Sequence, residues 1–104
     1  MTTPRRLIFA PSAVRDLDEM VAWYAEQEVP DVGRRLLEEI INRTECLLRH
    51  PDMGRMVPEF GVESLRELIH PPFRIVYRRE KTEIQVVRIW RSERILKIPP
   101  VKER

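Results

Sequence analysis

Apolar residues along this chain change their spacing twice, and the changes divide it into elements. Leu7, Ile8 and Phe9 form a short apolar run within Arg5–Ala10 that predicts a first strand. Pro11 and Ser12 follow, with Ser12 the predicted cap of a helix. Val14, Leu17, Val21 and Tyr24 then recur every three or four residues, the stripe of a helix ending near Glu28, before Pro30. Asp16, Asp18 and Glu19 lie near its start, where the helix dipole favours acids. The same period returns from Asp31 to about Arg49, with Leu36, Leu37, Ile40, Ile41, Thr44, Leu47 and Leu48 on a broad face and Pro51 closing it. So short a connection predicts an antiparallel helical hairpin.

Asp52–Ser64 reads as loop, with Gly54, Pro58 and Gly61. Beyond it the spacing turns to alternation. Leu65–Ile69 reads as a strand with Leu65, Glu67 and Ile69 on one face and Arg66, Leu68 and His70 on the other, ended by Pro71 and Pro72. Phe73–Tyr77 and Ile84–Trp90 are β-rich runs joined by a turn at Glu80–Thr82. Three strands in close succession predict an antiparallel meander. The expected fold class is α+β: an N-terminal strand and an antiparallel helical hairpin packed on a three- to four-stranded antiparallel sheet. Its length of 104 residues predicts a single domain over 1–104, with 95–104 an irregular tail containing Pro99 and Pro100.

Charge sharpens this picture. Net charge is only +2, but residues 1–52 carry ten acids against seven Lys/Arg, net −3, and residues 53–104 carry seven against twelve, net +5. The basic half is the strand half, and six arginines fall between Phe73 and Arg94. Arg74, Val76 and Arg78 point to one face of their strand, Ile75 and Tyr77 to the other. If the hairpin covers the apolar face, the arginines line a shallow basic surface on the other, suited to an anionic partner or serving as a solvated edge. An arginine inside an apolar strand needs water, a carboxylate or a phosphate.

Several chemistries lack their residues. His50 and His70 are isolated and read as capping or surface residues. Cys46 is the one cysteine, which excludes an intramolecular disulfide, fits a reducing cytoplasm and reads as structural. No metal-ligand spacing, phosphate loop or nucleophile elbow is present, so no metal or cofactor is expected. No leader segment is visible, and no apolar run approaches the ~20 residues of a membrane helix.

Four blocks, taken together, resemble the RelE/ParE toxin superfamily of bacterial type II toxin–antitoxin systems. They are APSAVRDLDEMVAWY from Ala10 to Tyr24, with Asp16, Leu17 and Tyr24 matching; HPDMGRMVPE from His50 to Glu59; Leu65–Glu67 followed by FRIVYR from Phe73 to Arg78; and VVRIWRSER from Val86 to Arg94. The resemblance implies the helical hairpin on a sheet already read from the pattern. It implies a cytoplasmic toxin that blocks growth, held in a hetero-oligomer by a ParD-like or RelB-like antitoxin. RelE-like members cut messenger RNA on the ribosome; ParE-like members inhibit DNA gyrase.

Cleavage by a 2′-hydroxyl needs a base, an acid and charge stabilisation. Arg74 and Arg94 stand where RelE-like members carry basic residues, and Glu67 or Glu93 is the candidate base. Tyr77 is a candidate acid but shares a face with Ile75, a core position. The segment Ile95–Pro100, where the pattern places a tyrosine or histidine, has neither, and arginine replaces the frequent histidine at Arg91. Arginine is a poor proton shuttle. The ParE-like reading, a gyrase inhibitor rather than an enzyme, is therefore preferred over the ribonuclease, with a non-toxic antitoxin-binding relic as a further alternative. Its partner-binding candidates are Arg74, Arg78, Arg88, Trp90, Arg91 and Arg94.

Overall fold

The computed structural model describes residues 5–93 together with Ile98. Seven elements follow in order: β1 Arg6–Phe9, α1 Pro11–Glu26, α2 Pro30–Cys46, β2 Arg55–Met56, β3 Leu65–His70, β4 Phe73–Arg79 and β5 Glu83–Arg91. The class is the expected α+β, but the sheet has five strands in the order β1-β5-β4-β3-β2. The meander β3–β4–β5 is antiparallel as predicted, whereas β1 pairs parallel to β5, Arg6 opposite Glu83 and Phe9 opposite Val86. β2 is an addition within the stretch read as loop; it pairs Arg55 with Glu67 and Met56 with Arg66.

The helical hairpin lies on one face. Leu17, Met20, Leu36, Ile40 and Leu47 pack there against Leu68, Phe73, Ile75, Tyr77, Ile84, Val86 and Ile89. The stripe on α1 differs from the expected one. Ser12, Ala13, Leu17 and Met20 are its buried residues, and Val14 is exposed. Two polar residues set that rotation. Ser12 is not the cap, because α1 begins at Pro11; its hydroxyl donates to the Val87 carbonyl at 2.6 Å. Asp16 accepts the Ile89 amide at 2.9 Å. β1 stops at Phe9, and Ala10 N–H bonds the Val86 carbonyl at 2.8 Å. The first turns of α1 thus take over the hydrogen-bonding edge of β5 where its parallel neighbour ends. At the other end of α1, Glu28 sits in the left-handed region with φ 64°. α2 follows at once, and Gly33 lets it approach closely: an added Cβ there would lie 3.1 Å from Tyr24 Cβ.

The opposite face carries a smaller cluster. Ala10, Val57, Leu65, Val76 and Val87 are buried together, with Trp90 and Ile98 packed against them. The loop that precedes β2 is locked to the sheet at Gly54. Its N–H donates to the Tyr77 hydroxyl at 3.0 Å, Tyr77 donates to the Pro51 carbonyl at 2.7 Å, and Arg66 Nη1 donates to the Gly54 carbonyl at 2.8 Å. A Cβ at Gly54 would meet the Glu67 carbonyl at 2.6 Å and the Tyr77 hydroxyl at 2.8 Å. Tyr77 is thus a core residue and a clasp, and burial pushes its phenol pKa up.

Candidate functional site

Strand register places the arginines. On the face away from the helices, Ile69, Arg74 and Trp90 stand in one cross-strand row, and Arg55, Glu67, Val76 and Arg88 in the next. The expected open basic surface is corrected here, because carboxylates engage many of its cations. Arg74 is only 7% exposed. Its Nε donates to Glu67 Oε1 at 2.5 Å, and its Nη1 and Nη2 donate to Glu59 Oε2 and Oε1 at 2.7 and 2.8 Å. Glu67 is buried and accepts Arg55 Nε through its second oxygen at 2.7 Å. The bidentate Arg74 guanidinium holds the Glu59 carboxyl down at about 2, and the same bonds raise the Arg74 pKa.

Arg88 turns toward α1 and grips Asp16 with Nε and Nη2 at 2.7 and 2.9 Å, while its guanidinium lies 4.1 Å from the Trp90 ring centre. Arg78 is half-buried opposite Leu65 and Gln85. Arg79 pairs with Asp52, and that bond draws the Asp52 pKa down and the Arg79 pKa up. Arg91 is the last residue of β5. Its Nε bonds Glu93 at 2.5 Å, and its guanidinium lies 5.8 Å from the Trp23 ring and 5.7 Å from the Phe73 ring. Arg94 and, apart from Ile98, the tail 95–104 lie outside the described residues.

A groove of about 500 Å³ runs between α1 and the outer edge of β5, lined by Glu19, Trp23, Phe73, Trp90 and Arg91 among others. Trp23 is 47% exposed, an amphipathic anchor of the kind protein interfaces use. His70 is half-buried rather than isolated, with Nε2 3.0 Å from Glu39 Oε1, joining α2 to the end of β3. Among the described residues no group of three or more His, Cys, Asp or Glu could hold a metal ion. No helix among them is long and apolar enough to cross a membrane.

The arrangement joins two of the predicted site residues, Arg74 and Glu67, while Glu93, just past the end of β5, pairs with Arg91 instead. Both Glu67 oxygens accept hydrogen bonds from arginines and the Tyr77 hydroxyl is engaged twice, so neither resembles a poised proton carrier. Glu59, Arg55, Asp16 and Trp23 are the partners that sequence reasoning missed. All four lie in the blocks that carry the family likeness, Asp16 and Trp23 within Ala10–Tyr24 and Arg55 and Glu59 within His50–Glu59, but none was read there as a partner of the strand arginines.

The model of the ParE toxin of type II toxin–antitoxin systems matches residues 7–96, most of the chain. The chain belongs to this ParE toxin family. Its membership fits the fold of a solved chromosomal ParDE toxin–antitoxin system from P. aeruginosa. That chain is 26% identical with a TM-score of 0.72, over 86% of this chain and 97% of the other. The toxin–antitoxin complex RelBE2 from Mycobacterium tuberculosis shares the fold at 19% identity and a TM-score of 0.61, over 86% of this chain and 99% of the other. No curated protein matches. This ParE-family chain is thus a type II toxin within the RelE/ParE superfamily.

Proposed function

We propose that this chain inhibits DNA gyrase in the cytoplasm and that an antitoxin encoded beside it holds it inactive. Family membership over residues 7–96 carries the reading, and both solved relatives belong to toxin–antitoxin assemblies. The state of the proton-transfer candidates supports inhibition over catalysis. Glu67 is buried between two arginines, Arg74 is bound on both edges, and Tyr77 is a structural clasp. A ribonuclease site requires a base that can reach a substrate hydroxyl. The target-contacting residues are assigned to Trp23, Trp90 and Arg91, where aromatic and guanidinium groups meet along the α1–β5 groove, and to Arg78, half-buried toward the other end of β4.

The deciding experiment sets a supercoiling assay with purified gyrase beside primer extension on messenger RNA with intact ribosomes. Loss of supercoiling without RNA cleavage is expected. Full supercoiling in the presence of folded, soluble toxin overturns the gyrase reading, and discrete ribosome-dependent cuts assign the chain to the ribonuclease branch. Growth unaffected by induced expression marks a non-toxic relic.

A further inference from the structure

Arg74 presents its two edges to two very different carboxylates. The inner one, Glu67, is buried and belongs to the sheet. The outer one, Glu59, has a side chain 43% exposed and sits between β2 and β3 on a loop whose tight turn bonds Phe60 N–H and Gly61 N–H to the Val57 carbonyl. Gly61 closes this turn at φ 61°, with open space on its outer side. The outward Nη1 and Nη2 of Arg74 form a fork that donates to two oxygens, at 2.7 and 2.8 Å. Apolar side chains surround this part of the surface: Ile69 beside Arg74 in the cross-strand row, and Phe60 and Val62 on the loop, each more than two-fifths exposed.

We infer that Glu59 is an internal competitor: it fills the oxyanion fork of Arg74 until an acidic residue of a partner protein, flanked by apolar residues, takes its place. The inference rests on the reading that an antitoxin segment binds this toxin, and it names where that segment's carboxylate goes. Departure of Glu59 does not strand Arg74, because Glu67 still bonds its Nε, and Arg55, which shares Glu67, has a side chain 61% exposed to water. The incoming group finds donors already set for a carboxylate. A phosphate suits the fork less well, since Glu67 stays 2.5 Å from the same guanidinium and repels the higher charge. A self-filled fork lowers the partner's apparent affinity by the fraction of time it stands open.

The test uses the full chain, wild type and Glu59→Gln, against the purified antitoxin of the neighbouring reading frame and a version with its tail Asp and Glu changed to Asn and Gln. Glu59→Gln should bind the natural antitoxin roughly tenfold more tightly than wild type, and this gain should vanish with the neutralised tail. Equal affinities for the two toxins overturn the inference while leaving the toxin–antitoxin reading intact, as does a gain that survives tail neutralisation. Absence of any binding removes both. If Glu59→Gln does not fold, Glu59→Asp, one methylene too short to span the fork, should show the same gain in smaller measure, and no gain overturns the inference. A short 5′-phosphorylated oligoribonucleotide is the counter-probe. Tighter binding of it than of the antitoxin by Glu59→Gln assigns the fork to phosphate and overturns the carboxylate assignment.

Discussion

At the scale of single residues, Gly54 and Glu59 show how little of a side chain's role is visible in its type. Gly54 stood in the sequence as a loop breaker, yet its position is fixed by sterics against Glu67 and Tyr77. Gly54→Ala should lower stability by about 1–3 kcal/mol, the cost of overpacking a filled site, read as a shift of the urea midpoint at unchanged slope. Glu59 was legible as the end of a family block but not as a ligand of Arg74, because its partner lies fifteen residues away across a loop. Its ionisation gives a pH signature. The folded pKa of about 2 is depressed from 4.5, so Glu59 contributes stability that is complete above 4.5 and is lost as pH falls toward 2. The stability difference between wild type and Glu59→Gln should therefore be constant from neutral pH down to about 5 and shrink steadily below it, measured by urea unfolding across that range. A difference unchanged down to pH 3 would falsify the ion-pair assignment.

Among the elements, strand order in the meander, the hairpin and the face assignments on β3 and β4 were all readable, because alternation and the 3.6-residue period report burial directly. Three features were not. β2 is two residues long and is set by its register with β3, which hydrophobic spacing cannot signal. β1 runs parallel to β5, a pairing decided by tertiary packing between distant segments. The stripe of α1 is rotated by about one residue, because Ser12 and Asp16 anchor the helix to the β5 edge through polar bonds. Asp16→Asn should detach that seam. It removes a half-buried ion pair with Arg88 and weakens the bond to Ile89 N–H, and about 2–4 kcal/mol of lost stability is expected. Hydrogen exchange should rise first at the β5 amides beside α1. The turn between the helices offers the reverse case. Glu28→Gly relieves a left-handed backbone and should raise stability by about 0.5–1 kcal/mol, seen as a higher melting temperature.

For the whole molecule, the excess of positive charge in the strand half was real but misleading. Asp16 and Asp52, from the acidic half, and Glu59, from the strand half itself, reach the sheet and answer Arg88, Arg79 and Arg74. Sequence distance hid these pairings, and a linear charge count could not reveal them. The parallel β1–β5 pair carries a further consequence, for synthesis on the ribosome. Arg6 finds its register only against Glu83, so the β1 edge and the seam at Asp16 stay open until β5 has left the exit tunnel. A nascent chain stopped before Glu83 holds every helix residue but lacks the strand that α1 is anchored to, and it should be cleaved rapidly by protease while chains with β5 clear of the tunnel resist. Protection that develops in ribosome-bound chains before β5 emerges would disprove this. Such an order of assembly withholds the folded toxin until its whole sheet has been made, so interrupted translation would yield fragments that the cell can degrade before they poison it.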